Sequence, residues 1–148
     1  MSNSSGKQAQ CKGPLPEQRL SAFIALGRAI SDIALSLGEG HPPDSPLKAA
    51  RTLYDTALNS PGHNPWFTLS QVGQSLAALG YMLREESLRK WLDVYPRFHL
   101  DNTNPSNILV VMAGNIPLVG FHDFLSVLIS RHRLTAKLSS QDQELPRV

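Results

Sequence analysis

Five consecutive apolar residues, Ile108 to Met112, constrain the fold more than any other feature of the chain. Ile108, Val110 and Val111 are β-branched, and such a run predicts a buried strand, although periodicity alone does not separate it from a buried helix. The run breaks at Gly114-Asn115-Ile116-Pro117. From Pro117 to Ser130 apolar residues recur at helical spacing (Leu118, Phe121, Leu125, Leu128), and Leu134 to Leu138 reads as a second short strand. Strand, helix and strand within about 31 residues is the size of one βαβ crossover, which joins parallel strands.

The preceding part of the chain has a different period. Leu20, Phe23, Ile24, Gly27, Ile30, Ala34 and Leu37 recur at steps of three and four, predicting an amphipathic helix that stops at "GEGHPPDSP". Ser45-Pro46 reads as an N-cap followed by proline at the first helical position, with Leu47, Ala50, Tyr54 and Ala57 on one face. "NSPGHNPWFT" (Asn59 to Thr68) reads as a turn-rich link, and Thr68-x-x-Gln71 matches a capping box ahead of Val72, Leu76, Leu79 and Leu83. A short helix with Leu88, Trp91, Leu92 and Tyr95 should end at Pro96. The expected organisation is a disordered N-terminus (1–15), a helical region (16–100) and the start of an α/β domain (101–148).

Composition narrows the class. The chain has 148 residues, 41% of them apolar and 18% charged, which is within the range of globular domains. A net charge of +2 with scattered basic residues, dense only at Arg131-His132-Arg133, predicts no nucleic-acid footprint. One cysteine, Cys11, excludes an intrachain disulfide, and no Cys/His spacing suggests a metal site. The N-terminus lacks the apolar core of a signal peptide, and no uninterrupted apolar run approaches the roughly 18 residues of a bilayer span. The expectation is a cytoplasmic protein without a membrane span.

In an α/β sheet, ligands gather where parallel strands end and the next helix begins. Here that edge comprises Met112, Ala113, Gly114 and Asn115 after the first strand and Lys137, Ser139 and Ser140 after the second. Gly114 permits a tight turn. Asn115 offers a neutral amide donor for a developing oxyanion, Lys137 a cation, and the two serines hydroxyls for sugar or phosphate oxygens. The purely structural alternative is a turn that caps a helix, followed by a serine N-cap; neither a GxGxxG nor a Walker pattern is present.

"VMAGNIPLVGFHDFLSVLIS", followed by "AKLSSQDQELP", resembles the core motif of the acyl-CoA reductases related to the fatty acid reductase of bacterial bioluminescence, a branch of the aldehyde dehydrogenase superfamily. "NPWFT" and "LRKWLDVYP" are similar to the helical region ahead of that motif. The resemblance covers most of residues 20–146. It implies that the βαβ segment is the first, incomplete part of a Rossmann-like nucleotide-binding domain. It also implies that Asn115 helps form an oxyanion hole and that Lys137 lies near the adenosine ribose. Many NAD-preferring relatives carry glutamate at the position of Ser140; a carboxylate repels a 2′-phosphate and a hydroxyl does not, so NADPH is the expected cofactor. The substrate would be an acyl-CoA or another acyl thioester.

The chain departs from that family in three respects. The family's nucleophilic cysteine lies beyond this stretch, and Cys11 is no substitute. Ser140-x-x-Gln143 announces a helix that Val148 cuts short. Arg131 stands where the family has a glycine that ends the helix in a left-handed conformation. The expectation is therefore the N-terminal part of an NADPH-dependent acyl-CoA reductase, inactive by itself. The alternatives are a non-catalytic nucleotide-binding or interaction module with a protein partner or in an oligomer, or the product of a truncated gene. His122-Asp123 resembles a base–orienter pair, but adjacent helical residues diverge by about 100°, so a helix-face or partner contact is expected instead. Trp66 and Trp91 are expected to be packing anchors rather than an acyl-binding surface.

Overall fold

The computed structural model describes residues 16–95 and 104–148. The expected disordered N-terminus, Cys11 and the helix end at Pro96 lie outside the described residues. The architecture is α/β and mostly helical, with a two-stranded parallel sheet.

α1 (Pro16–Glu39) buries Leu20, Phe23, Ile24, Ile30, Ile33 and Leu37 along one stripe. It stops at Gly40, whose φ of 77° lets Gly40 and His41 donate their N–H groups to the Ser36 carbonyl. α1 packs chiefly on α3 (Leu69–Met82). Gly27 and Gly80 let the two elements approach. A Cβ on Gly27 would lie 2.5 Å from that of Leu83, and one on Gly80 would collide with the Ser31 hydroxyl. By length and by the mean hydropathy (1.5) of its most apolar 18-residue window, Glu17–Glu39 would also suffice to cross a bilayer, although charged residues interrupt its apolar run; here 44% of that window is buried.

α2 (Lys48–His63) begins later than Ser45-Pro46 suggests, because Leu47 stays extended and donates its N–H to Ser45 Oγ at 3.3 Å. It also ends later. The expected link at Asn59 is a last helical turn running through Pro61, in which Asn59 and Ser60 bond back to the carbonyls of Asp55 and Thr56. α3 opens with the expected capping box: Gln71 N–H donates to Thr68 Oγ1 and Thr68 N–H to Gln71 Oε1. α4 (Glu85–Leu92) anchors through Leu88, and Trp91 packs against the core edge-on to Tyr95.

β1 (Asn107–Val111) and β2 (Arg133–Lys137) pair in parallel with Ile108 opposite Leu134 and Val111 opposite Lys137. The helix between them, α5 (Phe121–Ile129), covers one face. β1 is accordingly not buried as expected: Ile108 and Val110 are half-buried, but Leu109 and Val111 are 64% and 65% exposed on the open face. α5 starts four residues later than expected, because Pro117–Gly120 forms a tight turn. Leu125 and Ile129 of α5 join one apolar core with the helical layer. Arg19 Nη1 donates to the Leu128 carbonyl at 3.5 Å, tying α1 to the carbonyl end of α5. The helix announced at Ser140 is instead a loop closed by a Ser139–Asp142 bridge, followed by a 3-10 turn at Leu145–Arg147. Ser139 Oγ, rather than Ser140, makes the local turn by accepting the Gln141 N–H.

Arg131 adopts φ 64°, and Arg131 and His132 donate to the carbonyls of Leu128 and Val127, the pattern of a Schellman stop. Arg131→Gly should raise stability by about 1 kcal/mol by removing left-handed strain, read as a shift of the urea midpoint. Gly27→Ala should lower it by roughly 1–3 kcal/mol despite better helix propensity, because Leu83 backbone atoms have to move.

Candidate functional site at the carboxyl edge of the sheet

The two strand ends meet directly. Met112 N–H donates to the Lys137 carbonyl at 2.9 Å, and Gly114 lies so close to Ser139 that any Cβ there would collide with it. The space that glycine leaves is thus used by the chain's own loop and not left open to a ligand. Beyond Gly114 the chain reverses: Val119 N–H donates to the Ile116 carbonyl at 3.3 Å, with Pro117 at the second turn position and Leu118 at the third. This has the form of a type II turn, whose third position needs positive φ and favours glycine. Leu118 has φ 59°.

Asp142 holds the turn. Its Oδ2 accepts the Leu118 N–H at 2.7 Å, and the residue is only 5% exposed. Burial pushes its carboxyl above the ordinary value of 3.8, and the Leu118 hydrogen bond opposes that rise. Asn64 fastens the other side of the loop, donating to the Gln141 carbonyl at 3.1 Å while accepting the Trp66 N–H at 3.0 Å. The sequence reading missed both residues. Asp142 resembles any acidic residue at a helix start, and Asn64 any asparagine before proline.

The residues singled out in the sequence fall into distinct surroundings. Met112 and Ala113 line an apolar cavity of about 330 Å³ bounded by α1, α3, α5 and the 3-10 turn. Asn115 is exposed on a cleft of about 240 Å³ against α3. Ser140 is exposed in a third cleft, of about 160 Å³, beside Ser60, His63 and Asn64 at the end of α2. Lys137 is exposed on the open face of the sheet opposite Val111. The fold therefore gathers Met112, Gly114, Lys137 and Ser139 at one edge, and it places Asn115 and Ser140 in separate clefts that share Phe67 as a wall.

Lys137 to Gln141 carries one cation, two hydroxyls and no carboxylate, and Asp142 is turned inward toward Leu118. That donor set fits a phosphate and the hydroxyls of a ribose. Among the described residues, no three His, Cys, Asp or Glu side chains gather to hold a metal. His122 meets Trp91 edge-on at 5.4 Å, the expected helix-face contact. Trp66 is not a packing anchor: it is 83% exposed, because the Asn64 bond holds its backbone on the rim of the cleft that contains Asn115. No family model, curated protein or solved structure matches the chain.

An Asp whose folded pKa lies above its unfolded value holds its proton more tightly in the folded state. Its contribution to stability therefore falls as pH rises from 3.8 through the folded value, and is constant above it. Asp142→Asn keeps an acceptor for Leu118 and should flatten that part of the pH profile of urea unfolding. Asp142→Ala removes the acceptor and should cost about 1–2 kcal/mol throughout the pH range.

Proposed function

We propose that this chain is the N-terminal part of an NADPH-dependent acyl thioester reductase, which converts an acyl-CoA to an aldehyde and a free thiol. The observation that carries the reading is the meeting of Met112–Gly114 with Lys137–Ser139 at the carboxyl ends of two parallel strands, with Asn115 exposed on the adjoining turn. We read this βαβ segment as the first part of a Rossmann-like nucleotide-binding domain. The similarity of the motif between Val111 and Phe124 to the acyl-CoA reductases supports the same reading.

The residues have separable roles. Lys137 and Ser140 would hold the ribose and its 2′-phosphate, the ammonium by charge and the hydroxyl by hydrogen bonding. Bound NADPH would supply a hydride. Asn115 would donate from its amide to the thioester oxygen as negative charge develops there; an amide does this without titrating. Asp142 would keep that amide in place through the Leu118 turn. The thiol that carries the acyl group in this chemistry is assigned to no residue of this chain, since Cys11 lies outside the described residues.

The exposed Leu109 and Val111 favour a second reading, a nucleotide-binding module whose open sheet face meets a protein partner. Fluorescence titration with NADPH and NADH tests the nucleotide site that both readings share. The chain should bind NADPH without oxidising it when acyl-CoA is added. Ser140→Glu should weaken NADPH binding about tenfold while sparing NADH, since a carboxylate near the 2′-phosphate adds about 1.4 kcal/mol of screened repulsion. Equal, unselective affinity for both nucleotides in the wild type and the variant would remove Ser140 from the site.

A further inference from the structure

The cleft beside Asn115 has a composition that the oxyanion role does not explain. Trp66 is 83% exposed and Ile116 is 51% exposed, so two large apolar side chains face water across a space of about 240 Å³. Their backbones are held from behind. The Trp66 N–H is held by Asn64, and Ile116 opens the turn that Asp142 locks. None of the nine residues lining the cleft is ionisable; its polar groups are Gln71, Gln74 and Ser75 on α3 and the Asn115 amide opposite.

Such a surface selects its ligand by exclusion. A phosphate, carboxylate or ammonium would find no counter-charge there and would lose hydration. An apolar chain would find an indole and a branched aliphatic side chain mounted on backbone that is already held in place. A neutral carbonyl at the end of that chain would meet the Asn115 amide.

We infer that the cleft between Trp66 and Ile116 seats the acyl chain of an acyl thioester, with the thioester carbonyl at Asn115. This rests on the acyl thioester reading of the site and adds to it the surface that recognises the chain. Trp66 is the specificity-determining residue: it sets how strongly a hydrocarbon tail is held. The CoA portion lies outside the cleft.

The chain has two tryptophans, so Trp91→Phe leaves Trp66 as the sole indole emitter. Dodecanoyl-CoA, kept below its micellar concentration, should blue-shift Trp66 emission saturably; CoA alone should leave it unchanged, and dodecanoate should shift it more weakly. Equilibrium dialysis on chains that retain Trp91 gives the second readout. Trp66→Ala should weaken dodecanoyl-CoA binding about tenfold, and Trp66→Phe should restore it to within roughly threefold of the wild type. Because Trp66 is exposed, neither change should move the thermal midpoint. Unchanged Trp66 emission, equal affinity in Trp66→Ala, or a response to dodecanoate as strong as to the thioester would each overturn the assignment. NADPH titration of the same samples distinguishes the failures. Normal NADPH binding with a silent Trp66 removes the acyl cleft and leaves the reductase reading standing. A Trp66-dependent acyl-CoA response without NADPH binding does the reverse.

Discussion

The seam between α1 and α3 sets the position of everything else. Two glycines permit it: Gly27 lies against the backbone and Cβ of Leu83, and Gly80 against Ser31. Side chains at these positions would push the elements apart and open the layer that buries Ile33, Val72, Leu76 and Leu83. α1 also touches α2, α4 and α5, so an error in its placement would be transmitted to the sheet. The cleft beside Asn115 shows the dependence directly. One wall is the Gln71–Ala78 surface of α3 and the other is the turn that leads into α5, so its width follows from how α3 and α5 are both mounted on α1.

α5 is bounded at both ends by residues in the left-handed region, Leu118 with φ 59° and Arg131 with φ 64°. Neither is glycine, and each conformation costs roughly 1–2 kcal/mol. The two strains are compensated differently. At Arg131 the compensation is local: the last carbonyls of α5 receive the N–H groups of Arg131 and His132. At Leu118 it is long-range, because the acceptor is Asp142, beyond β2, and Asp142 itself stays in place through the Ser139 bridge in the loop that Asn64 fastens. Strain held by distant contacts is found where a backbone has to keep one particular shape. Here that shape aims Asn115 outward, away from the core.

Much of this was legible in the sequence, for definable reasons. The helical stripes of α1 and α3, the capping box at Thr68 and the strand–helix–strand order follow from period and local hydrogen bonding, which depend on near neighbours. The errors occur where distant contacts decide. α2 runs through Pro61 because Asn59 and Ser60 bond back along the helix, a choice that composition does not reveal. The apolar run predicts a buried strand, but among the described residues α5 covers one face of β1 and Leu109 and Val111 stand exposed on the other. Pro117 predicts the start of a helix but opens a turn, since a proline at a first helical position and at the second position of a type II turn look alike in sequence. The edge residues from Met112 to Ser140 were identifiable as a group. Their division among three clefts, and the roles of Asn64, Trp66 and Asp142, were not, because each depends on which loop lies against which.

That division has a chemical consequence. β-strand side chains alternate between faces, so Met112 lies toward α5 while Val111 and Lys137 project from the open face. A ligand touching both Met112 and Lys137 must cross the carboxyl edge and cannot lie flat on either face. At that edge Gly114 and Ser139 close against each other, with Asn115 on one cleft and Ser140 on another. The open face imposes a further condition. Parallel sheets are covered on both sides in stable folds, so whatever covers Leu109 must stop short of Val111 and Lys137 if that ammonium is to reach a ribose. A covering surface is therefore compatible with nucleotide binding only if it packs on the amino-terminal half of the open face, around Leu109 and Thr135, and leaves the last register pair, Val111 and Lys137, accessible.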